Sequence, residues 1–145
     1  LTLAEYALLT AQRRHEPVSL AFVDLDRFKH INDTWGHEEG DRALIAIADL
    51  MKAAFRESDI LARQGGDEFI ILFANTSRHD AATAMETLSH NVARFNQQAA
   101  NPWQLAFSWG CVEYDPASHP SLNALVATAD RLMYQAKQKQ GRERR

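Results

Sequence analysis

The sequence is short of nearly everything that would mark a specialised environment. Cys111 is its single cysteine in 145 residues, so an internal disulfide framework of the kind built in oxidising compartments is excluded. Four prolines and six glycines are too few for a collagen-like or linker-rich chain. No apolar run approaches transmembrane length, and no stretch has the pattern of a secretory leader. A cytoplasmic setting is therefore expected, with any membrane anchor belonging to a parent protein. A basic excess is missing too: 16 Lys and Arg stand against 19 Asp and Glu, for a net charge of −3. Such a surface does not attract a nucleic acid polymer or an acidic membrane, and neither is expected as a partner.

What is present is a globular composition, 46% hydrophobic and 24% charged, in a length that suits one domain over residues 1–145. Leu3, Tyr6, Ala7 and Thr10 fall at helical spacing before a polar turn ending at Pro17. Val18 to Val23 is a short apolar run that stops at Asp24-Leu25-Asp26, as a buried strand meeting a polar rim does. A short helix or turn around Phe28 to Trp35 precedes a long helix marked by Leu44, Ile47, Ala48, Met51 and Phe55. Ile60 to Gln64 and Glu68 to Phe73 flank Gly65-Gly66-Asp67 and read as a β-hairpin. An amphipathic helix through Ala81, Met85, Leu88 and Val92, a strand over Leu105 to Tyr114, and a helix capped by Ser121 complete the chain. The expected fold is α/β: a mixed central sheet containing a β-hairpin, flanked by helices, with ferredoxin-like strand order.

The chemistry lies in the acids. Asp24 and Asp26 end one strand, and Asp67 and Glu68 sit at the hairpin tip. If the two strands are neighbours, these carboxylates converge, and a protein tolerates such repulsion mainly around a cation. An all-oxygen set points to a hard ion such as Mg²⁺ shared with nucleotide phosphates. Solvated rim charges are the plain alternative. Gly65 and Gly66 weigh against it, since they allow positive φ and bring backbone close to whatever occupies the turn.

Gly65-Gly66-Asp67-Glu68-Phe69 resembles the signature of the GGDEF domains, the diguanylate cyclases. The likeness extends to Phe22-Val23-Asp24-Leu25-Asp26-Arg27-Phe28-Lys29-His30-Ile31-Asn32-Asp33, to Gly36-His37 and Gly40-Asp41, to Ser108-Trp109-Gly110, and to Ala129-Asp130, Tyr134 and Ala136-Lys137. It implies a nucleotidyl-cyclase palm type of fold and the condensation of two GTP into cyclic di-GMP with release of two pyrophosphates. It implies Mg²⁺, or Mn²⁺, two ions per GTP, held by Asp24, the carbonyl of Leu25, Asp67 and Glu68. Asp67 is then the base for the attacking 3′-hydroxyl, alongside Glu68, and Lys29 stabilises the transition-state phosphate. Asn32, His37 and Asp41 are the implied substrate-binding positions, with Lys137 and Arg142 on phosphates. Guanine's adjacent N1–H and amine suit the Asp41 carboxylate, whereas adenine would set an acceptor against it. His37 reads equally well as a residue ordering the Gly36 turn, and Asn32 as a helix-end cap. Phe28 and Trp35 read as core or pocket wall.

Arg56-x-x-Asp59, with five residues between Asp59 and Gly65, resembles the family's inhibitory site for the cyclic di-GMP product; alone, the pattern is a surface ion pair. The family's usual Asp-x-Leu-Thr-Gly-Leu-x-Asn-Arg stretch is represented only by Leu1-Thr2, and the expected state is a fragment of a larger signalling protein. Family members usually place the glycine-arginine pair one residue closer to the lysine than Gly141-Arg142 stands to Lys137, so Arg142 also reads as part of a basic tail. A cyclic product needs two substrates, which implies a transient homodimer. The rival reading is a catalytically silent regulatory domain that binds GTP or cyclic di-GMP.

Overall fold

The computed structural model describes residues 2 to 143, with side chains through Gly141. Arg142 belongs to the last helix, but its side chain lies outside the described residues. The order of elements is α1 (Leu3–Arg14), β1 (Ser19–Leu25), α2 (Phe28–Trp35), α3 (His37–Ala54), β2 (Ile60–Arg63), β3 (Glu68–Phe73), α4 (Arg78–Gln98), β4 (Phe107–Glu113) and α5 (Leu122–Glu143). Local chemistry sets the helix starts. The side chains of Thr2, Ser77 and Ser121 accept from the backbone N–H of Glu5, Asp80 and Ala124, satisfying donors that a first turn leaves free. Gly36, at φ +94°, joins α2 to α3 in a conformation that a side chain would strain.

The strands lie in the order β2-β3-β1-β4. Every neighbouring pair is antiparallel, so the sheet is not mixed, although the α/β class and ferredoxin-like order stand. The helical crossovers do return each strand in its original direction, making β1 parallel to β2 and β3 parallel to β4. An antiparallel strand lies between the members of each such pair.

The apolar run of β1 is explained by cover on both faces. Ala21, Val23 and Leu25 point into a core with α3 and α4 residues such as Ile47, Met51, Met85 and Leu88. Leu20 and Phe22 point the other way, into a second core with Leu8 of α1 and Leu125, Ala129 and Met133 of α5. β3 alternates likewise: Phe69, Ile71 and Phe73 join the first core, Ile70 and Leu72 the second. This two-residue period also fixes where the polar residues at the strand ends point.

Helix α5 lies directly on β4. A Cβ on Gly110 would stand 2.3 Å from the Met133 nitrogen and 2.5 Å from the Ala129 oxygen, and helix backbone cannot yield as a flexible side chain does. Gly110→Ala is expected to lower stability by at least about 2 kcal/mol in urea denaturation, the cost of overpacking. A loss below about 0.5 kcal/mol, the size of an ordinary surface change, would contradict this seating of α5.

Candidate active site

The register of the sheet builds the site. Asp24 pairs with Glu68 on β3 and with Ser108 on β4. All three therefore stand in one row across the sheet, on the face that α5 covers. Facing residues in such a row are about 5 Å apart at Cβ, and like charges there repel. The strand β1 runs on through Leu25, so Asp24 is held inside a strand rather than beyond its end. Leu25 N–H donates to the Asp67 carbonyl at 3.0 Å, tying the hairpin tip to β1.

The hairpin is held by its own polar groups. Gln64 and Gly65 N–H donate to the Glu68 carbonyl at 2.8 and 3.3 Å. The Arg63 guanidinium donates through Nε to the carbonyls of Gly65 and Gly66 at 3.1 and 3.2 Å. Neither Gly65 nor Gly66 has a positive φ, contrary to the expectation for this turn. At Gly65 a Cβ would lie 2.9 Å from Glu68 Oε2, so the glycine leaves room for the end of that side chain, which would otherwise have to turn aside.

Lys137 descends from α5 onto the acids. Its Nζ donates to Asp24 Oδ2 at 3.0 Å and lies 3.7 Å from Asp26 Oδ1. Ser108 Oγ donates to that same Asp26 Oδ1 at 2.8 Å. The other oxygen of Asp24, Oδ1, is buried and has no hydrogen-bond partner, a condition that ordinarily costs about 1–3 kcal/mol or more. Burial, then repulsion from Asp24, raises the Asp67 carboxyl above its usual range. Burial, then the charges of Asp24 and Asp67, does the same at Glu68. Burial alone would weaken the Lys137 ammonium, but the hydrogen bond and charge of Asp24 outweigh it and the pKa rises.

The remaining sequence candidates form a second zone. Asn32 of α2 packs against α3 so closely that a Cβ on Gly40 would overlap its amide oxygen at 1.7 Å. Asn32 thus borders the turn of α3 that carries Asp41 rather than capping α2, whose end is closed by Gly36 N–H on the Asn32 carbonyl. Asp41 and His37 are exposed on α3, and Lys29 is exposed on the first turn of α2. Among the described residues none of these three makes a side-chain hydrogen bond or ion pair of the kind that fixes Lys137. Trp103 donates through Nε1 to Glu39 at 2.7 Å and steadies the start of α3. Phe28 packs on the core, while Trp35 and His30 line a cavity of about 230 Å³ beside Asp26.

Arg56 and Asp59 stand apart from the acids. Arg56 Nη2 donates to Asp59 Oδ1 at 3.3 Å and to the Ala74 carbonyl at 2.7 Å, just beyond the far end of β3. Six strand residues separate Ala74 from Glu68, roughly 20 Å. Arg56 Nη2 also donates to Thr76 Oγ1 at 2.6 Å, and Asp59 accepts from Arg56 N–H at 2.9 Å, so the guanidinium is held by Asp59, Ala74 and Thr76 together. Cavities of about 220 and 240 Å³ border both residues.

Two residues of the network, Ser108 and Arg63, carried no role from sequence, and Asp26 counted there only among the converging carboxylates. Ser108 and Asp26 orient one another beside Lys137, and Arg63 braces the hairpin. A serine between Phe107 and Trp109 in an apolar strand was the available signal.

Comparison with known proteins identifies the family. The family described as "Diguanylate cyclase, GGDEF domain" matches residues 2–144. The chain belongs to that family. It is 34% identical over 143 residues to the diguanylate cyclase DosC of Escherichia coli K12, covering 99% of this chain and 31% of that protein. The structure of the GGDEF domain of TpbB, also called YfiN, from Pseudomonas aeruginosa superposes with a TM-score of 0.83 at 34% identity, over 94% of this chain and 80% of that one. The GGDEF domain of DgcB from Caulobacter crescentus, solved in complex with c-di-GMP, gives a TM-score of 0.83 at 27% identity, over 93% and 80% of the two chains. The chain thus spans under a third of the curated cyclase DosC. Among the described residues no helix is long and apolar enough to cross a membrane.

The raised carboxyls have a measurable consequence. Asp67 and Glu68 hold protons more tightly in the folded domain than at their ordinary values of 3.8 and 4.5. Their contribution to stability is therefore complete below those values and is lost as pH rises through the raised ones. In urea unfolding with EDTA, Asp67→Asn is expected to stabilise the domain at neutral pH, by under about 1 kcal/mol because the group is largely solvated. The gain should vanish near about pH 3, where the native carboxyl is already protonated. A variant less stable than the parent at neutral pH would contradict this account.

Proposed function

We propose that this domain condenses two GTP molecules into cyclic di-GMP and releases two pyrophosphates, as the catalytic unit of a longer signalling protein. The observation that carries the reading is the buried, unpartnered Oδ1 of Asp24 in a row of carboxylates at a glycine hairpin. Among the described residues no group of three or more His, Cys, Asp or Glu side chains is placed to hold a metal ion by itself, so a cation here would also draw on the Leu25 carbonyl and on substrate phosphates. An open oxygen-only set suits ions that keep part of their coordination for substrate phosphates. Asp24, the carbonyl of Leu25 and Asp67 would hold Mg²⁺ or Mn²⁺, with Glu68 as a further ligand. Two such ions per GTP supply neutralisation of charge at the α-phosphate and the leaving pyrophosphate.

The chain's own residues divide the remaining work. The 3′-hydroxyl of one GTP attacks the α-phosphorus of the other, the new phosphodiester forms, and the bond to pyrophosphate breaks. Asp67, at the hairpin tip beside Asp24, is assigned to receive the hydroxyl proton. Lys29 and Lys137 set positive charge against the phosphates, and Arg142 is assigned to the same end of the substrate. Asp41 accepts from the N1–H and amine of guanine, with Asn32 beside it and His37 at the same helix start. One domain holds one GTP, so the two-fold product requires a transient homodimer that brings two substrates face to face.

Incubation with GTP and Mg²⁺ should yield cyclic di-GMP and two equivalents of pyrophosphate, with a rate per subunit that rises with protein concentration. Asp67→Ala should lower the rate by at least about a hundredfold, the scale of losing an acid–base group. GTP binding without product at high protein concentration would move the reading to the silent regulatory domain.

The Arg56 and Asp59 pair is proposed as the inhibitory product site. Its distance from the acids suits an effector position, and the Arg56 guanidinium can turn a two-donor edge to guanine once it leaves Asp59, the Ala74 carbonyl and the Thr76 hydroxyl. Arg56→Ala is expected to keep initial turnover and relieve slowing by added cyclic di-GMP. Unchanged inhibition in that variant would remove the assignment.

A further inference from the structure

Lys137 occupies a position that phosphate binding alone does not explain. Its ammonium stands between two carboxylates, 3.0 Å from Asp24 and 3.7 Å from Asp26. Those carboxylates differ in their remaining bonds. Asp26 is nine-tenths buried and its Oδ1 is fixed by the fully buried Ser108 hydroxyl. Asp24 satisfies only Oδ2, through Lys137, and leaves Oδ1 buried without a partner. A single ammonium is thus an incomplete match for Asp24, while Asp26 is already oriented to receive it. To reach Asp26 Oδ1 at hydrogen-bond distance the ammonium must move by at least the difference between 3.7 and 3.0 Å, and its half-exposed side chain is free to turn that way.

We propose that Lys137 is a resident counter-ion for Asp24 in the domain free of metal and nucleotide, and that Asp26, braced by Ser108, takes the ammonium when a divalent cation claims Asp24. The proposal rests on the reading of Asp24 as a metal ligand. Lys137 then competes with the cation before substrate arrives, and the apparent metal affinity is reduced by the fraction of molecules in which Asp24 is engaged. Asp26 is a positioning residue, acting through Lys137 and touching neither metal nor substrate.

The test is titration of the nucleotide-free domain with Mn²⁺ alone, followed by electron paramagnetic resonance, with circular dichroism to verify the fold of each variant. Lys137→Met should bind Mn²⁺ at least about fivefold more tightly than the parent, because the competing state is gone. Asp26→Asn should bind it more weakly than the parent, because the ammonium is confined to Asp24. In the Lys137→Met background the same Asp26→Asn change should weaken binding clearly less, leaving only the loss of one nearby negative charge; equal weakening in both backgrounds would overturn the handover. Equal or weaker binding by Lys137→Met overturns the counter-ion role. Asp24→Asn separates the two levels: if it abolishes Mn²⁺ binding while Lys137→Met changes nothing, only the counter-ion proposal fails. If Asp24→Asn leaves binding intact, the metal-ligand reading itself falls.

Discussion

The repulsion between Asp24 and Glu68, set opposite one another by strand register, is the constraint on which the other polar features depend. Two carboxylates in one cross-strand row, with Asp67 at the adjoining tip, destabilise the sheet edge they occupy. The molecule answers with a lysine from the last helix, a serine in the neighbouring strand and an arginine bracing the hairpin carbonyls. Lys137 offsets part of the repulsion directly, while Ser108 orients Asp26 and Arg63 steadies the hairpin backbone, and none completes the coordination of Asp24. What remains is an acidic pocket stable enough to fold and still suited to a cation.

That arrangement separates framework from chemistry in an economical way. The faces of β1 and β3 that look toward α3 and α4 are apolar except at Ser19, whose hydroxyl donates to the Thr76 carbonyl at 2.9 Å. The opposite face changes from apolar to charged at one boundary, between Phe22 and Asp24 on β1 and between Ile70 and Glu68 on β3. Because both changes fall at facing register positions, the core ends and the site begins along a straight line across the sheet. The proposed nucleotide zone on α2 and α3 follows this line in sequence by the short path from Leu25 to Phe28.

Much of this was legible in the sequence, and the gaps have physical causes. The hairpin, the apolar strands and the short helix from Phe28 to Trp35 were readable because turn glycines and hydrophobic period report directly on local structure. The antiparallel nature of every strand pair was not, since it depends on which strand lies between two others, a long-range choice invisible to local pattern. Gly65 was singled out correctly but for a different reason, its contact with Glu68 rather than its backbone angle. The partnership of Ser108 with Asp26 spans 82 positions, and only the register of β1 with β4 reveals it. Lys137 was placed near phosphates on resemblance; its pairing with Asp24 across 113 positions appears only once α5 is laid on the sheet.

The close seating of α5 on Gly110 turns the helix and strand β4 into two rulers laid side by side. From the Met133 contact to Lys137 is four helical residues, about 6 Å of rise, and from Gly110 back to Ser108 is two strand residues, about 6.8 Å. The two spacings nearly coincide, so the lysine arrives level with the serine and with Asp24 without any bend in either element. A domain with a bulkier residue at Gly110 would lift the helix off its scale, and the ammonium would lose its height above the acids before any charged group had been altered.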